Sequence, residues 1–306
     1  MKFYRLARLV FVFGMLLMAC KSGNRKRQAL EAFVQGPLDA VEGEVALAFC
    51  DLSSPEDVLF INADTRFHAA STMKVPVMIE LFKQQAAGNF NLADTLLLQN
   101  EFRSIVDSSL YAMDISDDSA DAIYNLIGTR VTLRDLMVPM ITVSSNLATN
   151  VLIEKVDAKK VTQSMRDLGA DSIQVLRGVE DQKAYDLGLN NTTTARDLLT
   201  ILEAITTGRA GNAQDCEEML AILKQQEFNE IIPRYLPDAV TVAHKTGSIT
   251  ALHHDAGIVY LPDGRSYVLV LLSRNLKDFD RGTEQLARVS EAVYGYMLQK
   301  RSAIRD

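Results

Sequence analysis

Ser71-Thr72-Met73-Lys74 is the stretch of this chain with the most chemistry in it. This Ser-x-x-Lys tetrad runs into Val75-Pro76-Val77-Met78-Ile79-Glu80-Leu81-Phe82, an apolar run that reads as a buried helix. Residues three apart share one helix face. The spacing therefore predicts the Ser71 hydroxyl and the Lys74 amine side by side at a helix N-terminus. A serine hydroxyl becomes an effective nucleophile when a base takes its proton. A lysine can be that base once burial or a neighbouring cation lowers its pKa. The helix N-terminus adds N–H groups that favour a developing oxyanion. The same four residues also read as a plain N-cap beside a solvated lysine, so the tetrad needs partners from elsewhere.

Two further groups can supply them. Ser144-Ser145-Asn146 stands before Leu147-Ala148-Thr149-Asn150-Val151-Leu152-Ile153, which reads as a helix. On the turn before that helix, a second hydroxyl could pass a proton to a leaving amine, and an amide could bind a substrate carbonyl. Alone, the triplet is equally an N-capping cluster. Lys245-Thr246-Gly247-Ser248 closes an expected strand, Val240 to His244. A lysine and two hydroxyls at a strand end can hold a carboxylate, and Gly247 lets a ligand approach the backbone. Alone, it is equally a strand exit.

In that order, Ser-x-x-Lys, Ser-x-Asn and Lys-Thr-Gly are the motif set of class A β-lactamases and penicillin-binding proteins. The chain resembles class A β-lactamases and their serine-hydrolase relatives across nearly all of residues 30–300. The resemblance implies Ser71 as the acylated nucleophile, Lys74 as its base partner and Ser144 as proton relay. It implies Asn146 against the substrate amide, and Lys245, Thr246 and Ser248 on the substrate carboxylate. Backbone N–H groups of Ser71 and Ser248 would form the oxyanion hole. Arg177-Gly178-Val179-Glu180-Asp181 lies where the family carries its omega-loop glutamate, 36 residues past Ser144. Glu180 is then the base that activates the deacylating water, with Asp181 the next candidate; both also read as solvated loop carboxylates. Asn150 and the threonines of Asn191-Thr192-Thr193-Thr194 match the family as well.

The chain departs from the family at four places. Ser145 replaces an aspartate that mainly orients structure. Ala184 replaces an asparagine that helps hold the hydrolytic water. The omega loop is about two residues shorter. The arginine after Lys-Thr-Gly is missing, with His253-His254-Asp255 in that region; a protonated His254 is one way to replace part of its charge. Adjacent histidines in an extended segment point apart, so neither a metal nor another cofactor is expected. The implied function is β-lactam hydrolysis. The alternatives are a β-lactam-inhibited peptidase or transpeptidase acting on D-alanyl peptides, and a non-catalytic binder that keeps the fold.

The elements needed to position these groups are legible. Residues 29–38 read as a helix, Glu44 to Asp51 and Val58 to Ile61 as a strand hairpin across Ser53-Ser54-Pro55-Glu56-Asp57. From about Asn91 to Gly208 the periods are mostly helical, with Pro139 interrupting one of them. Thr194 to Thr206 and Asp215 to Lys224 read as helices. Strands return at Val240 to His244, Ala256 to Leu261 and Ser266 to Ser273, the last two joined by Pro262-Asp263-Gly264. A closing helix is expected over about Thr283 to Gln299. The fold class is α/β (α+β): an antiparallel sheet assembled from N- and C-terminal segments with flanking helices, and an all-helical lobe inserted between them.

The N-terminus reads differently. Lys2, Arg5 and Arg8 precede the apolar run Leu9 to Met18, which is short for a membrane span. Residues 1–19 read as a signal peptide. Leu17-Met18-Ala19-Cys20 resembles a bacterial lipobox, which implies lipidation at Cys20, a polar tether over 20–28 and a hydrolase domain over 29–303. The protein is then expected to be an exported monomer, held at a bacterial membrane by its lipid, in the periplasm or at the cell surface. Losing Lys2, Arg5 and Arg8 with the leader takes the net charge from −7 to −10. That charge and the lack of a basic stripe argue against a nucleic-acid partner. Cys50 and Cys216 are expected to be buried free thiols.

Overall fold

The computed structural model describes residues 28–303. Cys20, the leader before it and most of the tether lie outside the described residues. The chain opens with α1 (28–39) and the hairpin of β1 (Glu44–Asp51) and β2 (Val58–Ile61). Next come β3 (Phe67–His68), a 3-10 turn (Ala70–Met73) and α2 (Lys74–Ala86). The middle of the chain holds β4 (Thr95–Leu97), β5 (Phe102–Arg103), β6 (Leu110–Tyr111), α3 (Asp121–Tyr124), β7 (Arg130–Thr132), α4 (Leu133–Thr142), α5 (Asn146–Val156) and α6 (Ala158–Asp167). It continues through α7 (Gln182–Asp186), β8 (Thr192–Thr193), α8 (Ala195–Thr206) and α9 (Ala213–Leu223). The chain then returns as β9 (Thr241–Ile249), β10 (Leu252–Tyr260), β11 (Ser266–Arg274) and α10 (Phe279–Ala303).

The five long strands form one antiparallel sheet in the order β2-β1-β11-β10-β9. Its seam joins the ends of the chain, from Glu44 opposite Arg274 to Asp51 opposite Tyr267. Alternation along β1 sorts its side chains between two cores. Leu47 and Phe49 pack with Leu30 and Val34 of α1 and Val289 and Val293 of α10. Ala46, Ala48 and Cys50 face the helical lobe, with Leu198 and Leu202 of α8. The small residues on that side let a helix lie close to the sheet.

The expected α/β (α+β) architecture is present, with different boundaries in β9, β10, α4 and α10, the last running Phe279–Ala303 where about Thr283 to Gln299 is expected. β9 and β10 are longer, so Lys245-Thr246-Gly247-Ser248 lies within β9 instead of at its exit. Gly247 does not break the strand, because β9 is the sheet edge and packs on the 3-10 turn. A Cβ at Gly247 would stand 3.1 Å from Ser71 N and 3.2 Å from Thr72 N. Pro139 lies inside α4 without ending it. Its carbonyl accepts from Val143 N at 3.3 Å and Ser145 N at 3.0 Å, which shapes the turn into α5.

The helix that carries the site is buried along most of its length. Val75, Val77, Met78, Ile79, Leu81 and Phe82 are buried, which fixes α2 as the axis of the lobe. Truncating Leu81 or Phe82 to alanine would cost about 2–5 kcal/mol. Cys50 and Cys216 are free and buried. Burial pushes the Cys50 thiol up to about 11, so it is no nucleophile at neutral pH.

Candidate active site

Ser71 sits in the 3-10 turn, one turn earlier than an α-helical start would place it, and α2 proper begins at Lys74. The turn is held by Ala70, whose φ is +43°, with its N–H donating to His68 Nδ1 at 3.0 Å. Ser71 Oγ is half-buried and, among the described residues, makes no hydrogen bond. It opens onto a cleft of about 280 Å³ whose walls include His68, Asn146, Glu180, Tyr185 and Ser248.

Lys74 is fully buried, and no hydrogen bond among the described residues joins its amine to Ser71 Oγ. Its Nζ donates to Ser144 O at 2.6 Å, Ser144 Oγ at 3.1 Å and Asn146 Oδ1 at 3.0 Å. Burial pulls its pKa from 10.5 to about 7, against the pull of Asp118 and Glu180 toward the ammonium form. Lys245, also fully buried, reaches Ser144 Oγ from the other side at 3.1 Å and donates to Thr246 O at 3.0 Å. Burial and then repulsion from Lys74 hold it well below the usual lysine range. Ser144 thus bridges two amines whose protons are easily lost. Of Lys245, Thr246, Gly247 and Ser248, Ser248 stands in the cleft wall.

Asn146 joins the other half of the site. While Oδ1 accepts from Lys74, Nδ2 donates to Glu180 Oε1 at 2.8 Å. Glu180 is half-buried in the cleft wall, and burial raises its pKa above 4.5. Its φ is +60°, as is that of Ser144. Such left-handed backbone at a non-glycine costs of order 1–3 kcal/mol and persists only where neighbours over-determine it.

The loop beneath Glu180 is clamped at both ends. Asn150 accepts from Val179 N at 2.6 Å and donates to Val179 O at 3.0 Å. Asn191 accepts from Leu176 N at 2.8 Å and donates to Arg177 O at 2.9 Å. Gly178 is required for this, since a Cβ there would lie 2.3 Å from Asn150 Oδ1. Arg177 spends its guanidinium inside the loop, on Leu189 O, Gly178 O and Asn190 Oδ1.

This constellation has the parts for acyl transfer: an unbonded hydroxyl on the cleft, a neutralisable amine three residues on, a serine hydroxyl between two amines, and a carboxylate of raised pKa in the cleft wall. A sequence profile of the β-lactamase enzyme family matches residues 26–297. The chain belongs to the β-lactamase enzyme family. A β-lactamase of Bacteroides uniformis is 27% identical over 180 residues, 55% of this chain and 60% of that protein, so the match spans less than two thirds of that relative. The extended-spectrum β-lactamase PER-1 of Pseudomonas aeruginosa is 24% identical over 298 residues, 90% of this chain and 92% of its own. Among solved structures, PBP-A superposes with a TM-score of 0.74 at 27% identity, covering 88% of this chain and 96% of that one.

Three expectations for this β-lactamase family member need correction. His254 carries no compensating charge. It is fully buried, Nε2 bonds to His68 O at 2.9 Å and Nδ1 accepts from Ser273 N at 3.1 Å. Burial pulls it down to about 4, so it is neutral at pH 7. Its neighbour His253 faces away, stacked on Phe279 and bonded to Thr283. Asp181 lines the cleft but is no solvated loop carboxylate, because it is buried and accepts from Ser104 Oγ, Ile105 N and Ala184 N. Ala184 is fully buried and outside the cleft wall, where Gln182 stands instead.

One participant was invisible in the sequence. Asp118 Oδ2 accepts from Asn146 N at 2.9 Å and Leu147 N at 2.8 Å, at the start of α5. Only its place in an acidic stretch, Asp114 to Asp118, marks it in the sequence, and such stretches usually mean a solvated face.

Proposed function

We propose that this protein opens β-lactam rings through an acyl-enzyme on Ser71 and releases the product with water activated by Glu180. The observation that carries the reading is the Lys74–Asn146–Glu180 chain of hydrogen bonds, which ties a neutralisable amine to a carboxylate of raised pKa in the cleft that Ser71 lines. Neutral Lys74 takes the Ser71 proton as Oγ attacks the lactam carbonyl carbon. N–H groups of Ser71 and Ser248 stabilise the oxyanion. The C–N bond then breaks, and the ring nitrogen takes a proton through Ser144 Oγ, fed by Lys74 and Lys245. Asn146 Nδ2 binds the acyl amide, and Ser248, backed by Thr246 and Lys245, binds the ring carboxylate. In the second half, Glu180 takes a proton from water, the water oxygen attacks the ester carbonyl, and Ser71 leaves with its proton restored.

A chromogenic cephalosporin added to purified protein tests the reading: sustained colour beyond one equivalent supports it. The second reading, a D-alanyl peptidase or transpeptidase, is favoured by the likeness to PBP-A, a mutant of which was solved as an acyl-enzyme complex with penicillin G. One equivalent of colour with a stable adduct would select it. We further propose that the protein is exported, is lipidated at Cys20 and works as a monomer at a bacterial membrane, on the strength of its leader and the Leu17-to-Cys20 junction.

A further inference from the structure

We infer that Asp118 is a positioning residue of this site: its carboxylate, brought in from the segment before α3, stands in for the acid absent at Ser145 and holds Ser144 and Asn146 in register with Lys74. The inference rests on the proposed roles of Ser71 and Lys74.

The geometry is that of a built-in anion at the start of a helix. Asp118 is 7% exposed. Its Oδ2 accepts from Asn146 N at 2.9 Å, Leu147 N at 2.8 Å, Tyr124 Oη at 3.1 Å and Ser145 Oγ at 3.3 Å, and Oδ1 accepts from Ala120 N at 3.2 Å. Two of these donors are N–H groups of the first turn of α5, where a negative charge is favoured. Ser145 caps the same helix through Ala148 N at 3.2 Å, so it donates to Asp118 while accepting from the helix. The residues flanking this joint, Ser144 and Asn146, are the two that bind Lys74 Nζ. Asp117, next to Asp118, also accepts from Asn146 Nδ2 through its carbonyl at 3.4 Å. The Ser145 hydroxyl lies 3.3 Å from the Asp118 carboxylate, so an acid at 145 would start from the same joint. Here the chain uses serine there, and a carboxylate 27 residues away fills the gap.

A capping role alone would affect folding and leave the titration of the site unchanged. Asp118 does more, because its charge reaches both catalytic groups. The ionisable groups that face Lys74 are Asp118, Glu180 and Lys245. Those that face Glu180 are Asp117, Asp118, Lys74, Tyr111 and Tyr124. The anion at 118 raises the pKa of Lys74 and also that of Glu180. Removing it lowers both, so more Lys74 is neutral and more Glu180 ionised at a given low pH. The acidic limbs of acylation and of deacylation then both move to lower pH.

The test uses Asp118→Asn, Asp118→Ala and the swap Asp118→Ala with Ser145→Asp. Acylation by benzylpenicillin is followed by mass, and Lys74 is titrated by NMR of lysine labelled at the ε carbon. Asp118→Asn keeps the volume and can still accept from the two backbone N–H groups; it is the deciding variant if Asp118→Ala does not fold. Both single variants are expected to acylate about 10–100-fold more slowly at pH 8, where Lys74 is mostly neutral either way. The Lys74 midpoint in Asp118→Asn is expected below that of the wild type. The swap is expected to recover most of the rate lost in Asp118→Ala. Wild-type rates and an unmoved Lys74 midpoint in Asp118→Asn would overturn the inference, as would a swap no faster than Asp118→Ala. The proposed function fails separately: a wild type that never forms a Ser71 adduct overturns that reading, while a lowered Lys74 midpoint in Asp118→Asn still upholds the role of Asp118.

Discussion

Asn146 donates from Nδ2 to Glu180 Oε1 at 2.8 Å. The same amide accepts from Lys74 Nζ through Oδ1 at 3.0 Å. One side chain therefore couples the proposed base for forming the acyl-enzyme to the proposed base for breaking it. Its orientation is set from both ends, since each end of the amide has a partner of one kind only.

Glu180→Ala separates the two half-reactions. Ser71 should still attack, because Lys74 remains, and the acyl-enzyme should persist. A lost general base costs about 10²–10⁴-fold. The expected record is a burst of one equivalent of chromogenic cephalosporin, then near-zero turnover, with the adduct visible by mass. Wild-type turnover in this variant would leave Glu180 as a loop carboxylate.

Ser71→Ala should form no adduct with penicillin and keep its melting temperature. Ser71 Oγ makes no hydrogen bond among the described residues, so its loss should change stability by less than about 0.5 kcal/mol. Mass spectrometry after penicillin exposure reads the first outcome and a thermal melt the second. An adduct on the variant would place the nucleophile elsewhere.

The pH dependence follows from burial. Lys74, pulled down to about 7, acts as a base only when neutral, so acylation should rise with pH and be half-maximal near pH 7. Glu180 must be ionised, and its pKa lies above 4.5, so deacylation should fall with acid earlier than for an ordinary carboxylate. Single-turnover measurements at a series of pH values separate the limbs. Acylation that is flat from pH 5 to 9 would exclude Lys74 as the titrating base.

Gly178→Ala should damage deacylation more than acylation. The added Cβ would lie 2.3 Å from Asn150 Oδ1, and the clamp on Val179 would have to yield. Glu180 moves with that clamp, whereas Ser71 and Lys74 do not. A stability loss of about 1–3 kcal/mol is expected from overpacking. Steady-state turnover and adduct lifetime, measured together, show which half-reaction slows.

Cys20→Ser should release the protein from the membrane fraction or block its processing. Fractionation of cells carrying each form reads this directly. A variant that stays with membranes as the wild type does would assign the anchor to another segment.

The sequence by itself determined what depends on near neighbours along the chain. β1 and β2 begin and end where their alternation and turn residues predict. Buried α2 follows from a largely apolar run, and the three-residue spacing puts Ser71 and Lys74 on adjoining turns at its start. These signals are local because backbone period and turn chemistry are local. Tertiary structure decided the charge states and the supports. Whether His254 is charged, whether Asp181 is free to act and whether Lys74 is a base depend on water excluded by segments far away in the chain. Asp118 shows this most plainly. As sequence it is one acid among several, and it became part of the site only when folding placed it against two N–H groups of α5. Desolvation and hydrogen bonding to distant partners set pKa and geometry, and neither quantity is encoded in residue spacing.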